Sequence, residues 1–329
     1  MTHQRARIGQ VACVVAFLWG CAGVTSSGEV PDAGGGPGSG TGGNTPVLSG
    51  DGAAGSGGGL ADGPPPAPVG FTMTEAGGYK LGDPITANTQ GGAANTGQQT
   101  CNTIVGIVRD FRGITEPNGH PDFESFEGRG PTKNLVAPML GADQKPVYAS
   151  HCEAGTTDKT ACPSGQMTTS KALFDQWFNN TDGVNKAFRL ELLVAPGTNG
   201  VGTFQSNHYF PLGDAGWGYS GKDDTGAEQN FGFTTELHTT FKYKGGEQFT
   251  FAGDDDLWVY INGHLAIDLG GLHFPETGTI DVDKMAGAFG MTVGQVYPLD
   301  LFQAERHSIG SDIRLDTNFA FVNCGVLIP

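Results

Sequence analysis

Three consecutive aspartates, Asp254, Asp255 and Asp256, stand in the stretch FAGDDDLWVYINGHLAIDLGGLH that occupies residues 251–273. Like charges this close repel, so a loop that carries them is stable only when hydrogen-bonded, well solvated or bridged by a cation. Calcium takes roughly six to eight oxygens, and adjacent carboxylates supply several of them while leaving positions open. Asp254, Asp255 and Asp256 are therefore the expected metal ligands and calcium the expected ion; the plain alternative is an acidic turn that holds nothing. Asp268 and His273, in the second half of the same hairpin loop, are candidates for the rim, as are Asp214 in PLGDAGWG and Glu305 in AERH. For each of these the competing role is turn capping or a surface ion pair worth little.

The residues that follow the aspartates alternate apolar and polar at period two, which reads as a half-buried strand. Leu257, Val259 and Ile261 would share the core face, and Trp258 and Tyr260 the other. Asn262-Gly263 makes a tight hairpin turn into a returning strand that carries Leu265 and Ile267 and closes on Asp268 and a Gly-Gly pair. Upstream, CNTIVGIVRDFR at 101–112 reads as a strand ending in VRDF. The loop HPDFE comes next, where His120, Asp122 and Glu124 would share one face if extended. That face could hold a metal; the competing role is a polar loop hydrogen-bonded to its own backbone.

One helix is expected near 168–179, TTSKALFDQWFN, with Ala172, Phe174, Trp177 and Phe178 on a buried face and Thr168 to Ser170 as caps. Strands are expected in FRLELLVA at 188–195, HYFPLG at 208–213, NFGFTTELHTTFKYKG at 230–245 and EQFTFAG at 247–253. QVYPLDLFQAER and SDIRLDTNFAFVN complete the set. Short strands between Gly and Asp turns, with so little helix, indicate an all-β fold, an antiparallel β-sandwich with one short helix. Residues 69–329 are enough for a single large core.

The chain has 329 residues, 55 of them Gly, and a formal net charge of −16. Loss of a leader holding Arg5 and Arg7 would make it two units more negative, a poor partner for nucleic acid. Residues 1–21, MTHQRARIGQVACVVAFLWGC, have a basic start and an apolar run from Val11 to Trp19 that is too short to span a bilayer. They read as a secretory signal. Leu18-Trp19-Gly20-Cys21 resembles a bacterial lipoprotein cleavage box, so Cys21 is the expected lipidation site; ordinary cleavage near Gly20 or Ala22 is the alternative. Residues 22–68, rich in Gly, Ser, Pro, Ala and Asp, make a flexible tether. Cys101, Cys152, Cys162 and Cys324 remain, an even number in an exported chain, and read as disulfides rather than as a zinc site. Three pairings are open. Cys152 with Cys162 would close a short polar loop, and Cys101 with Cys324 would tie the ends of the domain together.

The string GDDDLWVYINGHLAIDLGGLH, with VRDF and HPDFE upstream and LFQAERHSIGSDIRLDT downstream, resembles the fibro-slime domain of bacterial surface and secreted proteins. That domain is in turn similar to the protective-antigen-type (PA-fourteen) β-sandwich of fungal flocculins and bacterial adhesins. The resemblance covers roughly residues 101–324. It implies a jelly-roll-type sandwich in which the two aspartates opening the hairpin, here Asp254 and Asp255, bind calcium and with it hold vicinal sugar hydroxyls. Asp256 stands where the adhesin pattern has Gly, which either adds a ligand or closes the site to sugar. Trp217 and Trp258 are candidates to stack on sugar rings, although large aromatics on sandwich faces are more often packed.

Catalytic motifs were sought as well. Gly218-Tyr219-Ser220-Gly221-Lys222 lacks the last glycine of a nucleophile elbow, and no His-Glu-x-x-His or Walker-type loop is present. A carboxylate-pair glycosidase is defined by spacing in three dimensions. The expectation is a non-enzyme: an exported lipoprotein of the outer membrane or cell surface, or alternatively a secreted protein, that binds extracellular or cell-surface carbohydrate with calcium. It would touch the membrane through its lipid anchor only. The competing class is a structural surface or matrix protein whose calcium site, if any, only stabilises it.

Overall fold

Alternation of apolar and polar residues builds sixteen strands among the described residues: β1 (Thr72–Met73), β2 (Gly78–Pro84), β3 (Thr103–Phe111), β4 (Asn185–Leu193), β5 (Ala195–Pro196), β6 (Gly202–Ser206), β7 (Gly221–Lys222), β8 (Glu228–Gln229), β9 (Phe233–Lys242), β10 (Gln248–Gly253), β11 (Asp256–Ile261), β12 (His264–Leu269), β13 (Glu276–Asp281), β14 (Val296–Glu305), β15 (Ile313–Thr317) and β16 (Phe321–Asn323). The computed structural model describes residues 68–86 and 101–329, apart from 129, 150 and 309, all within the unit Pro64–Pro329. The leader, the Cys21 lipidation site and the tether up to residue 67 lie outside the described residues.

All pairings are antiparallel. One sheet of nine strands runs β1-β2-β4-β3-β9-β14-β11-β12, with β16 added on β9, and a second of five runs β13-β10-β15-β6-β5. Between them lies the main core, where Val108, Leu190, Leu237, Leu257, Val259 and Leu301 of the large sheet meet Phe204, Phe249, Phe251, Ile280, Ile313 and Leu315 of the small one. The architecture is the expected antiparallel β-sandwich.

The hairpin forms as expected: β11 and β12 pair, Asn262 and Gly263 turn the chain at φ 52° and 76°, and a bulge lies between Val259 and Tyr260. Positive φ at both turn positions suits the right-handed twist of the flanking strands. Its burial differs from the expectation. Trp258 and Tyr260 are as buried as Leu257 and Val259, because the far face of the large sheet is not solvated. Residues 112–184 fold over it and form a second core, in which Phe123, Leu135, Tyr148, Phe174, Trp177 and Phe178 pack on Trp258, Tyr260 and Phe302. The strand is therefore buried on both faces.

The expected helix shrinks to α1, Lys171–Phe174, and Ser170 makes no side-chain cap hydrogen bond. Phe174, Trp177 and Phe178 are buried as anticipated, whereas Ala172 is exposed. The aromatic rings, drawn down onto Trp258, set the path of the chain here more than helix propensity does. HYFPLG at 208–213 forms turns, not a strand, while still burying Tyr209, Phe210 and Leu212 in the main core.

Both expected disulfides form, Cys101–Cys324 across a sequence separation of 223 and Cys152–Cys162 across 10. Loop-closure entropy makes the long bridge the more stabilising. Replacing Cys101 and Cys324 together by serine should cost about 4–5 kcal/mol and the short bridge about 2–3, read as the difference in urea midpoints.

A buried charge network sits on the covered face of the large sheet. Glu236 of β9 accepts from Arg109 Nη1 at 2.5 Å and pairs with Lys145, and its Oε1 lies 2.5 Å from His238 Nε2. His238 Nδ1 is 2.7 Å from Asp300 Oδ1, and Lys145 Nζ also donates to the Ile328 carbonyl at 2.5 Å. Although burial alone would raise it, the Glu236 carboxyl is held well below its usual range by the Arg109 and Lys145 cations and by His238.

Candidate functional site

β10 belongs to the small sheet and β11 to the large one, so Asp254 and Asp255 are the two-residue step by which the chain crosses between sheets. Their connecting peptide bond is cis. The segment from Arg306 to Asp312 makes the reverse crossing, from β14 to β15. The two crossings meet at one end of the sandwich. Asp254 N–H donates to the Asp312 carbonyl at 3.3 Å, and Asp312 N–H returns a bond to Asp254 Oδ1 at 2.8 Å. Asp255 Oδ2 accepts the backbone N–H groups of Arg306 and His307, both at 3.1 Å. The Asp254 carbonyl accepts Gln303 Nε2 at 3.3 Å.

Electrostatically this corner holds more acids than Arg306 can neutralise. Burial, then the neighbouring Asp255 and Asp312 carboxylates, raise Asp254 to about 7, against the pull of the Asp312 N–H and of His273. Burial, with the Asp256 charge adding to it, raises Asp255 to about 6 in spite of Arg306. Glu305, 1% exposed, is pushed well above the usual carboxylate range by burial and by Asp255 and Asp254. Its Oε2 meets no ordinary donor among the described residues, although the carboxyl lies in hydrogen-bonding reach of Ser311 and of the Asp255 carboxyl. Buried polar atoms are ordinarily satisfied, so a carboxyl that faces another reluctant acid calls for a shared proton or a further partner. Either protons or a hard cation answers that charge, and the all-oxygen donors fit calcium or magnesium rather than a soft metal.

Asp256 is turned the other way. Its Oδ2 lies 2.6 Å from Arg306 Nε and its Oδ1 accepts Gly271 N–H at 2.5 Å, with the side chain fully buried. Gly271 holds φ 91° there, and a Cβ on it would come within 2.8 Å of Thr132 Cβ. Arg306 goes on to donate from Nη1 to the carbonyls of Asp122 and Met167, both at 3.1 Å, and lies 4.5 Å above the Trp177 ring. It thereby fastens the acidic corner to the covering segment 112–184. The three aspartates thus do not converge. Among the described residues the one trio of His, Cys, Asp or Glu ligand atoms within 4.8 Å of one another is His151, Cys152 and Cys162, and both of those cysteines are in the disulfide.

The structure corrects both stacking candidates. Trp258 is fully buried, its Nε1 bonded to Asp268 Oδ1 at 3.1 Å and its ring among Phe174, Trp177 and Phe178. Trp217, half-buried, is already engaged by two cations, with the Arg112 guanidinium carbon 3.9 Å and Lys186 Nζ 3.8 Å from its centroid. Asp268 is likewise committed, accepting Asn134 N–H at 2.8 Å as well as the indole. His273 does reach the corner: it acts on Asp254 electrostatically, and its ring nitrogens lie 2.9 Å from the Phe274 carbonyl and 3.1 Å from that of Leu269. Asp214 is exposed.

HPDFE is a turn. His120 Nδ1 accepts Asp122 N–H at 3.1 Å, Asp122 Oδ2 accepts Trp177 Nε1 at 3.1 Å and Glu124 Oε1 accepts Ser308 N–H at 2.8 Å, which spreads the three side chains over separate partners. Sequence reasoning named Glu305 among the rim candidates and missed Arg306 and Asp312. Both sit inside the downstream string already quoted, and only the crossing of the sheets reveals what they touch.

Residues 190–326 match the family model of the PA14 domain. The chain is also similar to two proteins of Dictyostelium discoideum. It is 34% identical to protein psiR over 227 residues, 64% of this chain and 21% of psiR. To protein psiC it is 35% identical over 226 residues, 64% of this chain and 42% of psiC. It thus spans well under half of the curated relatives it matches. Against the solved PA14 sugar-binding domain from an RTX adhesin the identity is 10% and the TM-score 0.23, with 67% of this chain and 96% of that one covered, an overlay too loose to argue from. What the sequence and the fold support together is that the segment carrying Asp254, Asp255, His273, Glu305 and Arg306 matches a PA14 domain.

Proposed function

We propose that the acidic corner is a calcium site through which the protein binds carbohydrate, as an exported adhesion or matrix component. The observation that carries the reading is the cluster of buried Glu305, Asp254 and Asp255 carboxyls, which burial and one another's charge make hard to ionise. Asp254, Asp255 and Glu305 would hold the ion once their oxygens, which do not all lie within 4.8 Å of one another, draw in around it. A bound calcium supplies open coordination positions that a pair of sugar hydroxyls can fill.

Arg306 and Asp256 have a different part. They neutralise each other and fix the backbone N–H groups that point at Asp255, so the side chain presented to the ion is already oriented. Asp256 is in this reading a support rather than a ligand, and the residue standing where the adhesin pattern has Gly does not obstruct the corner. The match to a PA14 domain and the family resemblance both support a binding role rather than catalysis, and export agrees with the two disulfides and the leader-like first residues. Lipid attachment at Cys21 would tether the domain to an outer membrane or cell surface.

The test compares wild type with Asp255→Ala on immobilised glycans, with calcium and with a chelator. Retention that needs calcium and disappears in the variant is the expected result. If calcium raises the melting temperature and no glycan is retained by wild type, carbohydrate binding is wrong and a stabilising ion site remains.

A further inference from the structure

With Trp217 and Trp258 occupied, the aromatic face a sugar would need has to come from elsewhere. Among the described Phe, Tyr and Trp residues only Phe274 and Tyr219 are exposed, and Phe274 at 71% is the more exposed of the two. It lies in the loop between β12 and β13. Its neighbours Leu272 and His273 are 3% and 5% exposed, and Glu276, two residues beyond it, pairs with Gly253, the residue before Asp254. Phe274 is therefore attached directly to the wall of the acidic corner while its own side chain faces water.

The loop is also built to hold that side chain still. Gly271 donates to Asp256, the His273 imidazole lies against the carbonyls of Leu269 and Phe274, and Pro275 follows, which restricts the backbone of residue 274 to extended conformations. An apolar ring kept exposed on a rigid loop gains by covering, and rigidity means that little ordering has to be done on binding. A pyranose offers the matching surface: axial C–H groups carry slight positive charge and sit well on the negative face of an aromatic ring.

Resting on the reading of the corner as a calcium and sugar site, we propose that Phe274 is the platform for the apolar face of the bound pyranose and so decides which sugars are held. Ligands with vicinal hydroxyls and a continuous C–H face are selected over those whose axial hydroxyls interrupt that face.

The experiment uses the full chain with Phe274→Ala, Phe274→Tyr and Phe274→Leu, passed over surfaces bearing galactose-, fucose-, mannose- and glucose-conjugated albumin. Calcium affinity is measured by calorimetry in parallel. Because Phe274 is exposed, the alanine variant should keep its melting temperature and bind calcium within about twofold of wild type. Its sugar retention should fall about tenfold, with tyrosine restoring it and leucine not doing so. Wild type and Phe274→Ala retained equally in calcium would overturn the platform while leaving the calcium and sugar reading standing. Wild type retained on none of the surfaces would overturn that reading and the platform with it.

Discussion

Replacing Arg306 by methionine should destabilise the protein by about 3–5 kcal/mol, among the largest effects open to a single substitution here. The side chain is 1% exposed and makes the 2.6 Å pair with Asp256, two carbonyl bonds and the stack on Trp177. Taking it away leaves a carboxylate with no access to water and next to other acids. Most of the cost is that uncompensated charge rather than the worth of the pair itself. The double variant Arg306→Met with Asp256→Asn should therefore recover a large part of the loss. Urea midpoints for the two single variants and the double complete the cycle. Equal midpoints for Arg306→Met and the double variant would show that the charge is not what matters.

The second large effect concerns Asp254 and Asp255, with which the Arg306 side chain makes no ion pair. Asp254 and Asp255 have folded-state pKa values of about 7 and about 6, above the ordinary carboxylate value of about 4. Groups raised on folding contribute stability that is fully present below the unfolded value and is lost as pH rises through the folded one. Without calcium, then, these two groups weaken the protein between about pH 4 and pH 8, by of order 7 kcal/mol together, from about 3 and about 2 pKa units at about 1.4 kcal/mol each. The variant Asp254→Asn with Asp255→Asn removes that liability. In chelator at pH 8 it should melt above wild type, an unusual direction for a change at a buried site. Adding calcium should narrow that gap: at about a hundred times its Kd the ion stabilises wild type by about 2.7 kcal/mol, and the double amide should not respond. Melting curves at pH 5 and pH 8, with and without calcium, decide it. Parallel pH dependence in the two proteins would mean that the corner is simply wetted.

How much of this could be read from residues alone depends on whether the cause is local. The hairpin was legible because both its signals, period-two alternation and Asn-Gly, lie within a dozen residues. β13 was not, since its sequence ETGTID is polar at an exposed edge and shows no apolar stripe. The burial of Trp258 was equally hidden. It depends on a covering layer, residues 112–184, that has almost no regular structure and so no periodicity to detect. Within the site, adjacency singled out Asp254 and Asp255, yet it also placed Asp256 beside them. What separates the three is a strand's alternation of faces together with Arg306, a partner 50 residues away. Glu305 could be named as a candidate acid, but it faces the Asp255 carboxyl only once the two crossings are brought together.

The way the chain's last strand is fastened has a mechanical consequence. Val105 N–H donates to the Cys324 carbonyl at 2.7 Å beside the Cys101–Cys324 bridge, Val326 N–H donates to His238, and Lys145 holds the carbonyl of Ile328. Where residue 101 comes in and where residue 324 goes out are thus neighbouring points on one rim. Tension that reaches residues 101 and 324 would be carried across a covalent clasp, leaving only β1 and β2, which precede it, to be peeled from β4. Strands β3 to β16, and the acidic corner among them, are thereby shielded from a pull exerted at both sides.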